Sequence, residues 1–210
     1  EIDKLADFGY KTNKTGFSIG SGFELYDDIN FSLGFESLYE VIDTDSSAST
    51  RQKSQKGNYF DNFFELNFDL DKRNQKFKTS DGFRSNFGID VPIISETNTL
   101  KNSYYYKYFT ELYHENISSF SFYISAANSI TGDDIKLSER LYIPSSRLRG
   151  FEKGKVGPKD GTDFIGGNYV TSINFSSTLP QILPNLQNMD FSIFADAANV
   201  WGVDYNSSLD

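Results

Sequence analysis

The 210-residue chain contains no cysteine and only one residue each of histidine, methionine and tryptophan. Without cysteine there is no disulfide framework, no thiolate metal site and no Cys nucleophile. A single histidine, His114, argues against a histidine-based zinc site and against a Ser-His-Asp triad. Positive charge is also short: 20 Lys and Arg stand against 29 Asp and Glu, a net charge of −9. A nucleic-acid binder needs a basic face against the phosphates, so no nucleic-acid partner is expected. Nor is there a long apolar run. The stretch from Phe164 to Met189 is the longest without a charged residue, but Gly166, Gly167, Pro180, Pro184 and several Asn interrupt it. It would not make a helix that spans a bilayer. The residues after Glu1 lack the basic, apolar, small-residue order of a secretory signal peptide. This inventory leaves most common enzyme chemistries poorly supplied, and no thiolate or histidine metal site is expected.

What the chain does have is aromatic residues, 20 Phe and 13 Tyr, set in a two-residue alternation. Phe17, Ile19, Phe23 and Leu25 share one face, with Ser18, Gly20, Gly22 and Glu24 opposite. Phe31, Leu33, Phe35, Tyr39 and Val41 follow, against Ser32, Gly34, Glu36 and Glu40. The pattern returns at Phe64 to Leu70 and Phe83 to Val91, and in Tyr104–Glu115 and Phe120–Ile130. It appears again at Tyr169 to Phe175 and from Met189 to Ala197. With a partial strand at Ala6–Thr12 the alternation predicts about nine strands, and no segment has a helical period.

Turn signals separate the strands at Asp27-Asp28, Asp71 to Gly82, Glu96 to Asn102, Glu115-Asn116 and Pro180 to Asn188. Tight or Pro-bounded linkers follow every second strand. The long polar stretches Asp43–Asn58 and Thr131–Ile165 lie between the others, although the linker near Asn13 is short. Short turns at one end and long loops at the other are the pattern of an outer-membrane β-barrel. A soluble antiparallel sandwich also alternates. Three details favour the barrel: a polar face rich in Gly, Ser and Asn, an opposite face too apolar to stand in water, and strand length. Strands of about ten residues rise roughly 33 Å and, tilted, cross an apolar band of about 25 Å. The expected fold class is all-β, an antiparallel transmembrane β-barrel.

Four motifs then fall in order: Asp71-Lys-Arg-Asn74 with Thr79-Ser-Asp-Gly82; Arg147-Leu-Arg-Gly-Phe151 with Gly157-Pro158; Phe164-Ile-Gly-Gly-Asn168; and Phe194-Ala-Asp-Ala-Ala-Asn-Val-Trp201. Together they resemble the BamA-type outer-membrane assembly factors of the bacterial surface antigen superfamily. In that family a long extracellular loop with an Arg-Gly-Phe/Tyr motif folds back into the barrel lumen, and a Gly-Gly-Asn opens the next strand. The resemblance implies that residues 1–210 are a partial transmembrane barrel, about nine strands of a sixteen-stranded one. It places the lumenal loop at about 131–165 and leaves the family's periplasmic POTRA domains outside the chain. It makes Arg149, Gly150, Phe151 and Asp196 a loop-lock motif, with Gly157, Pro158, Gly166 and Gly167 supporting the loop and the strand start. Two departures stand out. Ala198 occupies a position where the family often has Gly, and Ser176 one where it often has Glu, a second acidic partner for the arginine.

The residues support the same pairing. If Met189, Phe191 and Ile193 face lipid, Asp196 points the other way, into the lumen. An enclosed carboxylate calls for a cation, and the planar guanidinium of Arg149 offers five donors. Gly150 permits the left-handed backbone of a loop tip, and Phe151 is the expected apolar anchor. Removing one partner of an enclosed pair costs on the order of 3–5 kcal/mol.

Other candidates read as ordinary features. Gly150 to Gly161 is rich in Gly and Lys but holds no G-x-x-x-x-G-K-[ST]. Asp27-Asp28 and Asp133-Asp134 read as solvated turn carboxylates. Tyr104, Tyr105, Tyr106, Tyr108 and Tyr113 read as a barrel's aromatic girdle, and His114 as an interfacial side chain. Asn116-Ile-Ser118 is a formal glycosylation sequon without meaning in a bacterial barrel, and Asp43–Asn58 reads as a mobile surface loop. The implied function is assembly and insertion of β-barrel proteins in the bacterial outer membrane, without covalent catalysis. The implied partners are unfolded β-barrel clients, outer-membrane lipids and accessory lipoproteins. The alternatives are a transporter of the same superfamily (a two-partner secretion pore or a TamA-like factor) and a passive porin.

Overall fold

The computed structural model describes residues 2–5, 8–113, 116–179 and 191–203. The strands are β1 (Ile2–Leu5), β2 (Tyr10–Tyr26), β3 (Ile29–Thr44), β4 (Gly57–Asp71), β5 (Gly82–Pro92), β6 (Thr99–Tyr113) and β7 (Asn116–Ser129). After a long loop come β10 (Tyr169–Thr178) and β11 (Ser192–Trp201). Within that loop, β8 (Lys159–Asp160) and β9 (Asp163–Phe164) form a minimal hairpin. The nine long strands make one sheet, each next to its neighbour in the chain, and every pairing is antiparallel.

The alternation accounts for the two faces. Phe17, Ile19, Phe23, Leu33, Phe64, Phe87, Phe120, Ile173 and Ile193 are exposed on the outer face, with Ile19 reaching 70% exposure. Phe31 packs between Phe23 (5.6 Å) and Phe68 (4.8 Å), so neighbouring strands join their aromatic rings into one apolar layer. On β2 this layer ends abruptly. Beyond Phe17 the same face carries Thr15, Asn13 and Lys11, and Lys11 pairs with Asp43 of β3 at 3.2 Å. The apolar part from Phe17 to Leu25 covers about 26 Å at 3.3 Å per residue. On this face the remainder of the strand is polar.

Two boundaries differ from those read in the sequence. The expected strand at Ala6–Thr12 is divided by a turn: Gly9 has φ +72, and β2 starts at Tyr10 and runs through the linker expected near Asn13. Tyr10 and Thr12 are buried, so the inward alternation continues unbroken into β2. The stretch Asp43–Asn58 is also not a loose loop. It contains α1 (Thr50–Ser54), started by a capping box in which the Ser49 hydroxyl accepts from the Gln52 amide and Gln52 caps in return. Gln52 is 1% exposed and donates to the Phe8 carbonyl at 2.9 Å. A helix of five residues is too short to leave a period in the sequence. The features assigned to His114, Glu115, Pro180 to Asn188 and Met189 lie outside the described residues.

The β4–β5 connection is held by its own side chains. Arg73 clasps Asp71 with two hydrogen bonds of 2.7 Å, and the Asn74 side chain accepts from the amides of Ser80 and Asp81. Gly82 closes it with φ +96, where a Cβ would collide with the Lys72 carbonyl. Gly82→Ala is therefore expected to destabilise the protein by about 1–3 kcal/mol, the usual scale of a forced left-handed residue. A lowered unfolding midpoint of the full-length protein checks it, and an unchanged midpoint would contradict this view of the turn.

Candidate functional site

The connection from β7 to β10 folds back across the inward face of the sheet. Two apolar clusters seat it. Leu137 packs with Phe8, Tyr10 and Ile42, and Ile143 and Leu148 pack with Val170 and Val200. Tyr142 lies edge-on to Phe8 at 5.3 Å, and burial pushes its phenol up to about 12. These contacts order the loop before any polar group is considered.

At the loop tip Arg149 meets Asp196 of β11. Its Nε donates to Oδ2 at 2.7 Å, its second terminal nitrogen donates to Oδ1 at 2.6 Å, and its backbone amide donates to Oδ2 at 3.0 Å. Asn174 of β10 adds a fourth donor to Oδ1 at 2.9 Å and also holds the Arg147 carbonyl at 2.7 Å. The guanidinium carbon lies 3.8 Å from the centre of the Phe194 ring, a cation–π contact. The Asp196 side chain is 3% exposed and that of Arg149 34%. Such a forked, charge-assisted arrangement fixes orientation as well as position. The hydrogen bond to Asp196 also raises the pKa of Arg149 above its ordinary value.

The strand that receives the loop is patterned for it. Phe194, Asp196, Ala198 and Val200 alternate onto the loop side, and a Cβ on Gly157 would lie 2.8 Å from Val200. Gly157 has φ +110, so the position needs both the conformation and the missing side chain. Pro158 is buried and its carbonyl accepts from Ile165 at 3.1 Å. Gly166 and Gly167 are buried at the root of the loop. Gly167 exchanges two backbone hydrogen bonds with Leu141 (2.8 and 3.0 Å), and the next amide, Asn168, donates to the Gly202 carbonyl at 2.8 Å.

One expected contact is not made. Phe151 is 61% exposed instead of buried. Gly150, at φ +85, turns the chain directly after Arg149 and leaves the next side chain exposed. The apolar anchors are Leu148 and Ile143, on the other side of the arginine.

Two further anchors were missed in the sequence. Arg147 makes cation–π contacts with Tyr123 of β7 (3.9 Å) and Tyr105 of β6 (4.7 Å). Tyr105 thus belongs to the inward face and not to the girdle, while Tyr104, Tyr106 and Tyr108 alternate outward. The even spacing of Tyr104, Tyr106 and Tyr108 was the available signal. At the start of the loop, Lys136 sits between Glu40 of β3 (2.8 Å) and Asp61 of β4 (2.5 Å). All three side chains are 2–3% exposed. Burial works against the Lys136 charge, but Glu139, Glu40 and Asp61 outweigh it and hold its pKa above the ordinary lysine value.

A family model described as the Omp85 superfamily domain matches residues 3–209. The chain belongs to the Omp85 superfamily. Among solved structures, the crystal structure of BamA from Haemophilus ducreyi lacking POTRA domains 1-3 matches with a TM-score of 0.79 and 20% sequence identity. The match covers 92% of this chain and 42% of that one, so the chain spans less than half of the BamA structure. None of the curated proteins compared with the chain matches it. The sheet, with its infolded β7–β10 loop, is thus an Omp85 domain with a BamA-like fold.

Proposed function

We infer that the full-length protein is an outer-membrane factor that assembles and inserts β-barrel proteins. The observation that carries this reading is the BamA-like fold across nearly the whole chain, in a member of the Omp85 superfamily. The exposed aromatic layer of β2 to β11 is the surface that lipid covers, and the loop side faces the lumen of the barrel. No covalent step is needed. A client strand that pairs with the edge of a barrel satisfies its backbone before leaving water, which removes the main cost of entering the hydrocarbon. The segment described contributes the loop-bearing wall, and the Arg149–Asp196 contact holds the loop against it. Clients, lipids and accessory lipoproteins are the partners this function requires.

Reconstitution tests it. Liposomes containing the full-length protein should accelerate the folding of several unrelated outer-membrane barrels added unfolded, as read by protease protection. Acceleration of none of them, with release of a single exported substrate instead, would favour the transporter.

A further inference from the structure

On the inward face several cations are paired with carboxylates. Lys136 lies between Glu40 and Asp61, Arg84 bonds Asp69 at 2.7 Å, and Lys101 faces Glu139 at 3.7 Å. At one place it is the cations that lack such partners among the described residues. A cavity of about 340 Å³ lies under the loop between β6 and β10, and its charged lining residues are Lys107, Arg147 and Arg149, with no Asp or Glu among them. Among the described residues the carboxylate bonded to this cluster is Asp196, which Arg149 already engages through two of its nitrogens. The cavity therefore carries a surplus of two positive charges.

The donors are aimed as well as charged. Register places Lys107 opposite Ser121, Ser121 opposite Asn174, and Ser119 opposite Ser176, so all sit on adjacent strands of one face. The serine hydroxyls make a donor-rich floor between Lys107 and Arg149. The Arg147 guanidinium lies over two rings, those of Tyr105 and Tyr123, and its N–H groups make no hydrogen bond among the described residues. A guanidinium held against aromatic rings with its N–H groups unspent keeps a planar fork of donors for an oxyanion. The Lys107 ammonium has a ring, Phe109 at 4.8 Å, but no carboxylate partner among the described residues.

We propose that this cavity is an oxyanion-binding site, taking a phosphate or carboxylate group between Lys107 and Arg147 on the serine floor. A bound anion would tie the loop to β6 and β7 in addition to its Asp196 contact on β11. The site rests on the packing of loop and wall and not on the insertion reading, so the binding assay and the insertion assay fail independently.

Isothermal titration of the full-length protein in detergent micelles, with inorganic phosphate and separately acetate at constant ionic strength, tests it. Saturable binding of phosphate is expected. Binding of acetate as well would extend the site to carboxylates, and its absence would restrict the site to phosphates. Lys107→Gln should weaken binding by about tenfold, the scale of one charge-assisted hydrogen bond. Ser176→Glu, which brings a carboxylate of its own, should abolish binding while the loop stays protease-resistant. No saturable binding of either anion to the wild-type protein would overturn the proposal. So would unaltered affinity in both variants.

Discussion

Replacing Lys136 by methionine should cost the full-length protein about 3–5 kcal/mol, the cost of leaving buried carboxylates without their cation. Methionine keeps the length and apolar stem of lysine, so the loss isolates the charge. Glu40 and Asp61 are each almost wholly buried, and their remaining partners are weaker. Glu40 keeps Ser138 at 2.8 Å and a long contact of 3.6 Å to Lys14, and Asp61 keeps Thr97. The expected readout is a lower unfolding midpoint together with faster proteolysis between Gly132 and Leu141. The same site should show in the pH dependence. Because Lys136 has a raised pKa in the folded state, its contribution is complete below the ordinary lysine pKa and is lost as pH rises through the raised value. Loop protection should hold through mildly alkaline pH and then fall, and Lys136→Met should remove that component. An unchanged midpoint in Lys136→Met would sink the assignment.

Arg149→Ala comes next, and its size relative to Asp196→Ala is the sharper statement. Removing Arg149 strands Asp196 at 3% exposure, with Asn174 and one backbone amide as its remaining donors. That loss should approach 3–5 kcal/mol, about the cost of an uncompensated buried charge. Removing Asp196 strands Arg149, whose side chain is 34% exposed and can be rehydrated, so about 1–3 kcal/mol is expected. Both variants should release the loop tip to protease, Arg149→Ala more completely. Equal effects, or a larger one for Asp196→Ala, would show that Asp196 is better solvated than its geometry indicates.

Much of this was legible in the sequence because a β-sheet with one lipid-suited face writes its pattern at every second residue. Phe17, Phe31, Phe64, Phe87 and Phe120 needed only the alternation to be placed outward. Asp196 was placed inward by the same rule, and its partner Arg149 came from the order of the loop and strand motifs. What alternation cannot carry is register between distant segments. Lys136 joins Asp61 across 75 residues, and neither residue differs in type from many solvated neighbours. Helix α1 is set by one capping box and the burial of Gln52, local events without a period. The exposed Phe151 follows the left-handed turn at Gly150, which the Arg-Gly-Phe spelling permits without stating where the next side chain goes.

The most direct test of the account is depletion of the full-length protein in its host, with the folded amounts of several unrelated outer-membrane barrels measured over time. Insertion activity predicts a general fall in folded barrels and accumulation of their unfolded precursors in the periplasm. Normal porin levels, with one or a few exported proteins lost, would contradict it and assign the chain to a dedicated transporter.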